Sequence, residues 1–166
     1  MDLPELLTAE LTQEAEATRR VFARIPEHRL SWTPHPKSMS LGQLALHIAA
    51  SPAGVARLLL EPVREAPTIA FPEPTSLAEV FTTLDRSVET VRTTLAAWGE
   101  AGLLAEWRMT RDGQTILTLP RLAMVRSIMF NHCYHHRGEL IVYLRLLEVP
   151  VPAIYGPSAD ENPVPR

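Results

Sequence analysis

Four long stretches carry apolar residues at helical spacing, each bounded by prolines or a glycine, and a chain with this pattern has to pack helices side by side. The first reads from Pro4 to Ile25: Leu6, Leu7, Leu11, Ala15, Val21, Phe22 and Ile25 share a side with Leu3 just ahead of them, and Pro26 ends the helix. Pro34 and Pro36 exclude a continuous helix through the connector from Trp32 to Met39. Ser40 is the expected N-cap of a second helix from Leu41 to Leu60, which Pro52 should kink or split. Pro62 to Pro74, with four prolines, reads as an exposed linker. The third helix opens at the capping-box pattern Ser76-Leu77-Ala78-Glu79 and runs to Trp98 before Gly99. Glu106 to Leu117 alternates weakly around Asp112-Gly113, which predicts a small hairpin or irregular crossover and not a sheet core. The fourth helix starts near Pro120, and its inward stripe runs through Val125, Met129, His132, His136, Leu140, Tyr143 and Leu147. The fold class expected is therefore all-α, a four-helix bundle over residues 1–149. A Pro- and Gly-rich tail over 150–166 follows, with Ile154 and Tyr155 to anchor it on the bundle.

A length of 166 residues and 46% hydrophobic content suit one domain with a sizeable core. Sixteen Lys plus Arg against nineteen Asp plus Glu leave a formal charge of -3, too little of either sign to favour nucleic acid or an anionic membrane. The acidic start Met1-Asp2-Leu3-Pro4-Glu5 lacks the basic residues and apolar run of a secretory signal, and no later segment approaches a membrane span. A cytoplasmic protein is expected. Its only cysteine, Cys133, rules out an internal disulfide and leaves a metal site to histidines and carboxylates. Packed in the core it is a small apolar residue, since a thiolate needs an electropositive and accessible setting.

The chemistry concentrates in Asn131-His132-Cys133-Tyr134-His135-His136-Arg137-Gly138-Glu139. At about 100° per residue, His132 and His136 project from one side of a helix about 40° apart, so both imidazoles reach the same point. His47, among Leu41, Leu44 and Ile48 of the second helix, is also directed inward. A lone inward histidine is usually a hydrogen-bonded core residue, but three on two helices need partners together, and one metal ion satisfies them all. His135 with Glu139 forms an alternative i, i+4 chelate. Glu139 also falls close to His132 on the helix face, where it can ligate the metal or orient a bound water. Arg137 can hold a carboxylate, or lie solvated on the helix surface. The pair His132 and His136 is half of a zincin pattern, yet Cys133 stands where a zinc protease needs its glutamate, which disfavours a protease. Glu139, Arg137 and Tyr134 are the candidate acid-base or binding groups beside the metal.

Three segments resemble the bacterial DinB-like (damage-inducible) family. They are Trp32-x-Pro34 with Ser40-Leu41-Gly42-Gln43-Leu44-x-x-His47, then Asn131-His132-x-x-His135-His136-Arg137-Gly138-Glu139-Leu140-x-x-Tyr143-Leu144-Arg145, then Val151-Pro152-x-Ile154-Tyr155-Gly156-Pro157-Ser158-Ala159-Asp160-Glu161. The resemblance implies a four-helix bundle with a divalent ion, nickel or zinc, on His47, His132 and His136. Glu139 departs from it, since family members more usually have glutamine there. Some relatives are transferases or isomerases that activate a low-molecular-weight thiol, which points to a metal-dependent transferase or hydrolase acting on a small molecule. The rival expectation is a non-catalytic, metal-stabilised stress-response protein for binding or dimerisation. The resemblance also implies a homodimer, with the stripe Val80, Phe81, Leu84, Val88, Val91 and Leu95 of helix three, and helix one, as the expected interface.

Overall fold

The computed structural model describes residues 1–163, so residues 164–166 of the expected tail lie outside the described residues. Helix α1 (Leu3–Phe22) opens with a capping box, in which the Asp2 carboxylate accepts from the Glu5 N–H and the Glu5 carboxylate accepts from the Asp2 N–H. Ser40 and Gln43 cap α2 (Leu41–Leu58) in the same reciprocal way. Ser76 caps α3 (Leu77–Leu104), whose helical geometry breaks at Gly99 (φ 57°, ψ -170°) before a further turn to Leu104. The last rod is composite: α4 (Arg121–Met124), a π-helical stretch Val125–Asn131, and α5 (His132–Leu146).

Pro52 lies inside α2 without ending it. The missing N–H frees the carbonyl of Ile48 from its helical bond. The Cys133 thiol of α5 lies 4.0 Å from that carbonyl oxygen and 3.3 Å from Ser51 Oγ, and so offers a weak donor where the helix lacks one.

The all-α expectation does not hold. A mixed three-stranded sheet, β1 (Val63–Glu65), β2 (Glu106–Arg111) and β3 (Gln114–Pro120), is ordered β1-β2-β3, with β1 parallel to β2 and β2 antiparallel to β3. Asp112 and Gly113 both take positive φ (51° and 74°) and close the β2-β3 hairpin in the two-residue turn that right-handed strand twist favours. The proline-rich segment after α2 supplies the third strand, because the hairpin offers it partners: Arg108 N–H donates to Pro62 O at 2.9 Å and Ala66 N–H to Thr110 O at 2.8 Å. Glu65 then accepts from Thr110 Oγ1 at 2.5 Å and from the Asp112 N–H at 2.7 Å, which ties β1 to the turn. Trp107 of β2 is wholly buried and pins the sheet to the bundle beside Leu11, Leu59, Leu95 and Met129.

The apolar stripe of α3 is consumed inside the protein. Val80 and Leu84 join a cluster with Phe22, Leu44 and Leu144, while Val91 and Leu95 pack in the cluster around Trp107, so this stripe is not free to form a dimer interface. Beyond α5, Val151, Pro152 and Ala153 are buried. Asp160 pairs with Arg145 at 2.5 Å and accepts from the Val151 N–H at 2.9 Å; Glu161 pairs with Arg20 and accepts from the Ala153 N–H at 2.8 Å. Among the described residues no helix is long and apolar enough to cross a membrane.

Candidate metal centre

Two local features aim three imidazoles at one point. The Ser40 cap fixes the start of α2, two turns before His47. On the partner rod the π-helical stretch ends at Asn131, so α5 resumes ordinary winding at His132, and His132 and His136 follow one turn apart. Nothing in the sequence reading anticipated that widened segment, although π-turns recur at functional sites.

His132 Nε2 lies 3.0 Å from His136 Nε2 and 3.5 Å from His47 Nε2, and the ligand atoms of all three residues lie within 4.8 Å of one another. Metal–nitrogen bonds of about 2.0–2.1 Å in a tetrahedral or octahedral ion set nitrogen–nitrogen separations of roughly 3 to 3.4 Å, close to the two separations from His132 Nε2. The proton inventory points the same way. His136 Nδ1 sits 2.6 Å from Glu139 Oε2, an acceptor that holds the proton on Nδ1 and leaves the Nε2 lone pair facing His132. One N–H on His132 Nε2 can satisfy only one of the two nitrogens before it, whereas a cation satisfies all three. His132 Nδ1 is buried without a hydrogen-bond partner among the described residues.

Glu139 therefore orients a ligand. Its other oxygen, Oε1, is 3.2 Å from His135 Nε2, and His135 is largely exposed. The alternative His135–Glu139 chelate is spatially possible, since His135, His136 and Glu139 also bring their ligand atoms together, but it lies at the surface beside the half-buried trio.

Burial, followed by the neighbouring His136 and His132 charges, lowers the pKa of His47 from 6.5 to about 4; Glu139 opposes the shift. His132 is lowered too, first by burial and then by His136 and His135. Both rings are thus neutral near pH 7, the form in which imidazole binds metal. Because unfolded His47 binds a proton that the folded site refuses, its contribution to stability is complete above pH 6.5 and is lost as pH falls toward 4. In chelator-treated protein the melting temperature is expected to drop between pH 7 and pH 4.5, less steeply in His47→Gln. Parallel pH profiles for the two proteins would disprove this.

Arg137 and Tyr134 face away from the histidines. Arg137, 2% exposed, donates from Nη2 to Glu14 Oε2 at 2.6 Å and to the Tyr155 hydroxyl, and from Nη1 to Thr18 Oγ1 at 3.2 Å. Its guanidinium lies 5.4 Å from the Tyr134 ring centroid and 5.2 Å from that of Tyr155. Tyr134 Oη donates to Glu10 Oε1 at 2.7 Å and Tyr155 Oη to Glu14 Oε2 at 2.7 Å. Burial, then the Glu10 bond, pushes the Tyr134 phenol well above its usual range; burial, then the Glu14 bond, pushes Tyr155 up to about 12. Neither phenol is a base near neutrality. Burial likewise raises the Cys133 thiol, against the bond from Ser51, so this cysteine is an inert packed side chain. The cavity behind it, bounded by Glu14, Ile48, Met129 and Arg137, measures about 30 Å³ and has room for water alone. Sequence reasoning placed Arg137 and Tyr134 beside the metal and overlooked Glu10, Glu14 and Thr18, which lie on α1 and carry no signal pairing them with the fourth helix.

A helical bundle with an appended mixed sheet and three histidines converging from two helices is the class of protein the structure defines. The model of the DinB family matches residues 2–163, and the chain belongs to that family. It is 26% identical over 149 residues to the uncharacterized protein YrdA of Bacillus subtilis (strain 168), covering 89% of this chain and 85% of that one. In fold it is similar to a DinB-like protein from Bacillus cereus ATCC 10987, with a TM-score of 0.70 at 22% identity over 91% of this chain and 97% of the other. It is likewise similar to the DinB-like protein YjoA of Bacillus subtilis, with a TM-score of 0.65 at 22% identity over 87% and 95% of the two chains.

Proposed function

We propose that this chain binds one divalent ion, nickel or zinc, through His47, His132 and His136, and uses it as a cytoplasmic metal-dependent transferase or hydrolase on a small molecule, with a low-molecular-weight thiol as the favoured co-substrate. The observation that carries the reading is the convergence of three ring nitrogens from two helices within 4.8 Å. An ion with three imidazole ligands keeps coordination positions for an incoming ligand and serves there as a Lewis acid. The protein's own part is to hold the His47 and His132 rings neutral through burial, to fix His136 through Glu139 Oε2, and to keep the second oxygen, Glu139 Oε1, at the surface beside His135 as a proton acceptor. Two copies of the chain assembling as a homodimer belong to the same proposal.

One observation favours the second reading, a non-catalytic metal-stabilised protein. Of three candidate acid-base groups, Tyr134 and Arg137 are committed to α1 and the tail, and both Glu139 oxygens already contact imidazoles. Elemental analysis of untagged protein is expected to give one nickel or zinc per chain, and the His132→Ala, His136→Ala variant is expected to give none; metal retained in that variant sinks the assignment. Thiol-transfer and hydrolysis screens on the metal-loaded wild type, with and without chelator, then separate the two readings, because only a catalyst turns over and loses that rate when its metal is removed.

A further inference from the structure

The segment between β1 and α3 is tied at three points to the start of α2. Gln43 Nε2 donates to the Phe71 carbonyl at 2.7 Å, and Ser40 Oγ donates to Glu73 Oε2 at 2.8 Å. Pro74 closes on Gly42, where a Cβ would come within 2.9 Å of the proline ring. All three anchors lie on the turns leading to His47, so the path of the segment is coupled to that ligand. Its consequence is the position of Phe71, whose ring stands 5.2 Å from the His47 ring at an interplanar angle of 60° while 44% of the residue faces solvent. An aromatic held in place with much of its surface exposed is not explained by core packing. The Phe71 ring thus puts exposed apolar surface directly beside one ligand ring of the trio.

We propose that Phe71 is the specificity-determining wall of this site. It selects ligands that carry a metal-seeking donor, an azole nitrogen or a thiolate sulfur, directly on a flat apolar ring. The donor meets the ion and the ring stacks against Phe71. This rests on the metal-binding reading above, and the test keeps the two apart.

Nickel-loaded protein is titrated with imidazole and with 4-phenylimidazole, followed by calorimetry and by the nickel absorbance. Nickel affinity is measured in parallel for wild type, Phe71→Ala and Phe71→Trp. The wild type is expected to prefer 4-phenylimidazole by about tenfold more than Phe71→Ala does, with Phe71→Trp keeping the preference and nickel affinity changing less than about twofold. An unchanged preference in Phe71→Ala with nickel retained overturns the assignment of Phe71 alone. Nickel lost only from the Phe71 variants makes the residue a structural latch and also overturns it. A wild type that binds neither nickel nor zinc overturns the metal reading, and this inference with it.

Discussion

Arg137→Met is expected to lower the folding free energy by about 3 to 5 kcal/mol, the range for removing one member of a buried ion pair. The guanidinium is 2% exposed and its principal partner, the Glu14 side chain, only 13%. Methionine fills similar volume, so the loss comes from what remains behind: a nearly buried Glu14 carboxylate left with the Tyr155 hydroxyl as donor, and two phenol faces without their cation. Arg137→Lys should recover little, because one ammonium cannot reach Glu14 Oε2, Thr18 Oγ1 and the Tyr155 hydroxyl as the planar fork does. Glu14→Gln combined with Arg137→Met should be milder than Arg137→Met alone, since no unpaired charge stays buried. Urea unfolding followed by helical circular dichroism measures all four proteins. A loss below about 1 kcal/mol for Arg137→Met, the size of a solvated surface pair, would refute this account. Nickel bound by the folded fraction should be unaffected, which distinguishes a structural arginine from one acting at the metal.

That contrast shows what the sequence allowed. Periodicity of 3.6 residues is local, so the four rods, the Ser40 cap and the shared face of His132 and His136 could be read from the chain itself. Bringing His47 to the same place needed only the inward stripe of α2. That Arg137 can hold a carboxylate was legible, but which carboxylate was not, for the opposite reason. One step of about 100° beyond His136 carries it toward α1, and its partner Glu14 is 123 positions away in sequence. The β2-β3 hairpin around Asp112-Gly113 was legible, but the third strand was hidden in the same manner. Val63-Arg64-Glu65 is too short to display alternation and becomes a strand because the β2-β3 hairpin presents an open edge to it. The widened turn over Val125–Asn131 has no compositional signature, although it sets the position at which His132 enters the site.

Truncation after Pro150 is expected to cost about 2 to 4 kcal/mol while leaving nickel affinity unchanged. The exposed pairs Arg20–Glu161 and Arg145–Asp160 are minor contributors, because water and salt screen them. Larger contributions come from burying Val151 and Ala153, 5% and 3% exposed, and from the Tyr155 hydroxyl, which donates to Glu14 and accepts from Arg137. Ordering entropy offsets part of this gain, which keeps the net loss within a few kcal/mol. The tail thus reaches the α1 side of α5 through Tyr155, and Asp160 and Glu161 stay with Arg145 and Arg20 instead of approaching the histidines. Because Tyr155 and Arg137 share Glu14, the truncation and Arg137→Met should be less than additive by about 1 kcal/mol or more, the signature of a connected network. Strict additivity in urea unfolding would mean that the tail stabilises the bundle through Val151 and Ala153 alone. A loss of nickel on truncation would instead place the tail in the metal site, against the geometry in which the Tyr155 hydroxyl meets Arg137 and Glu14 and not the histidines.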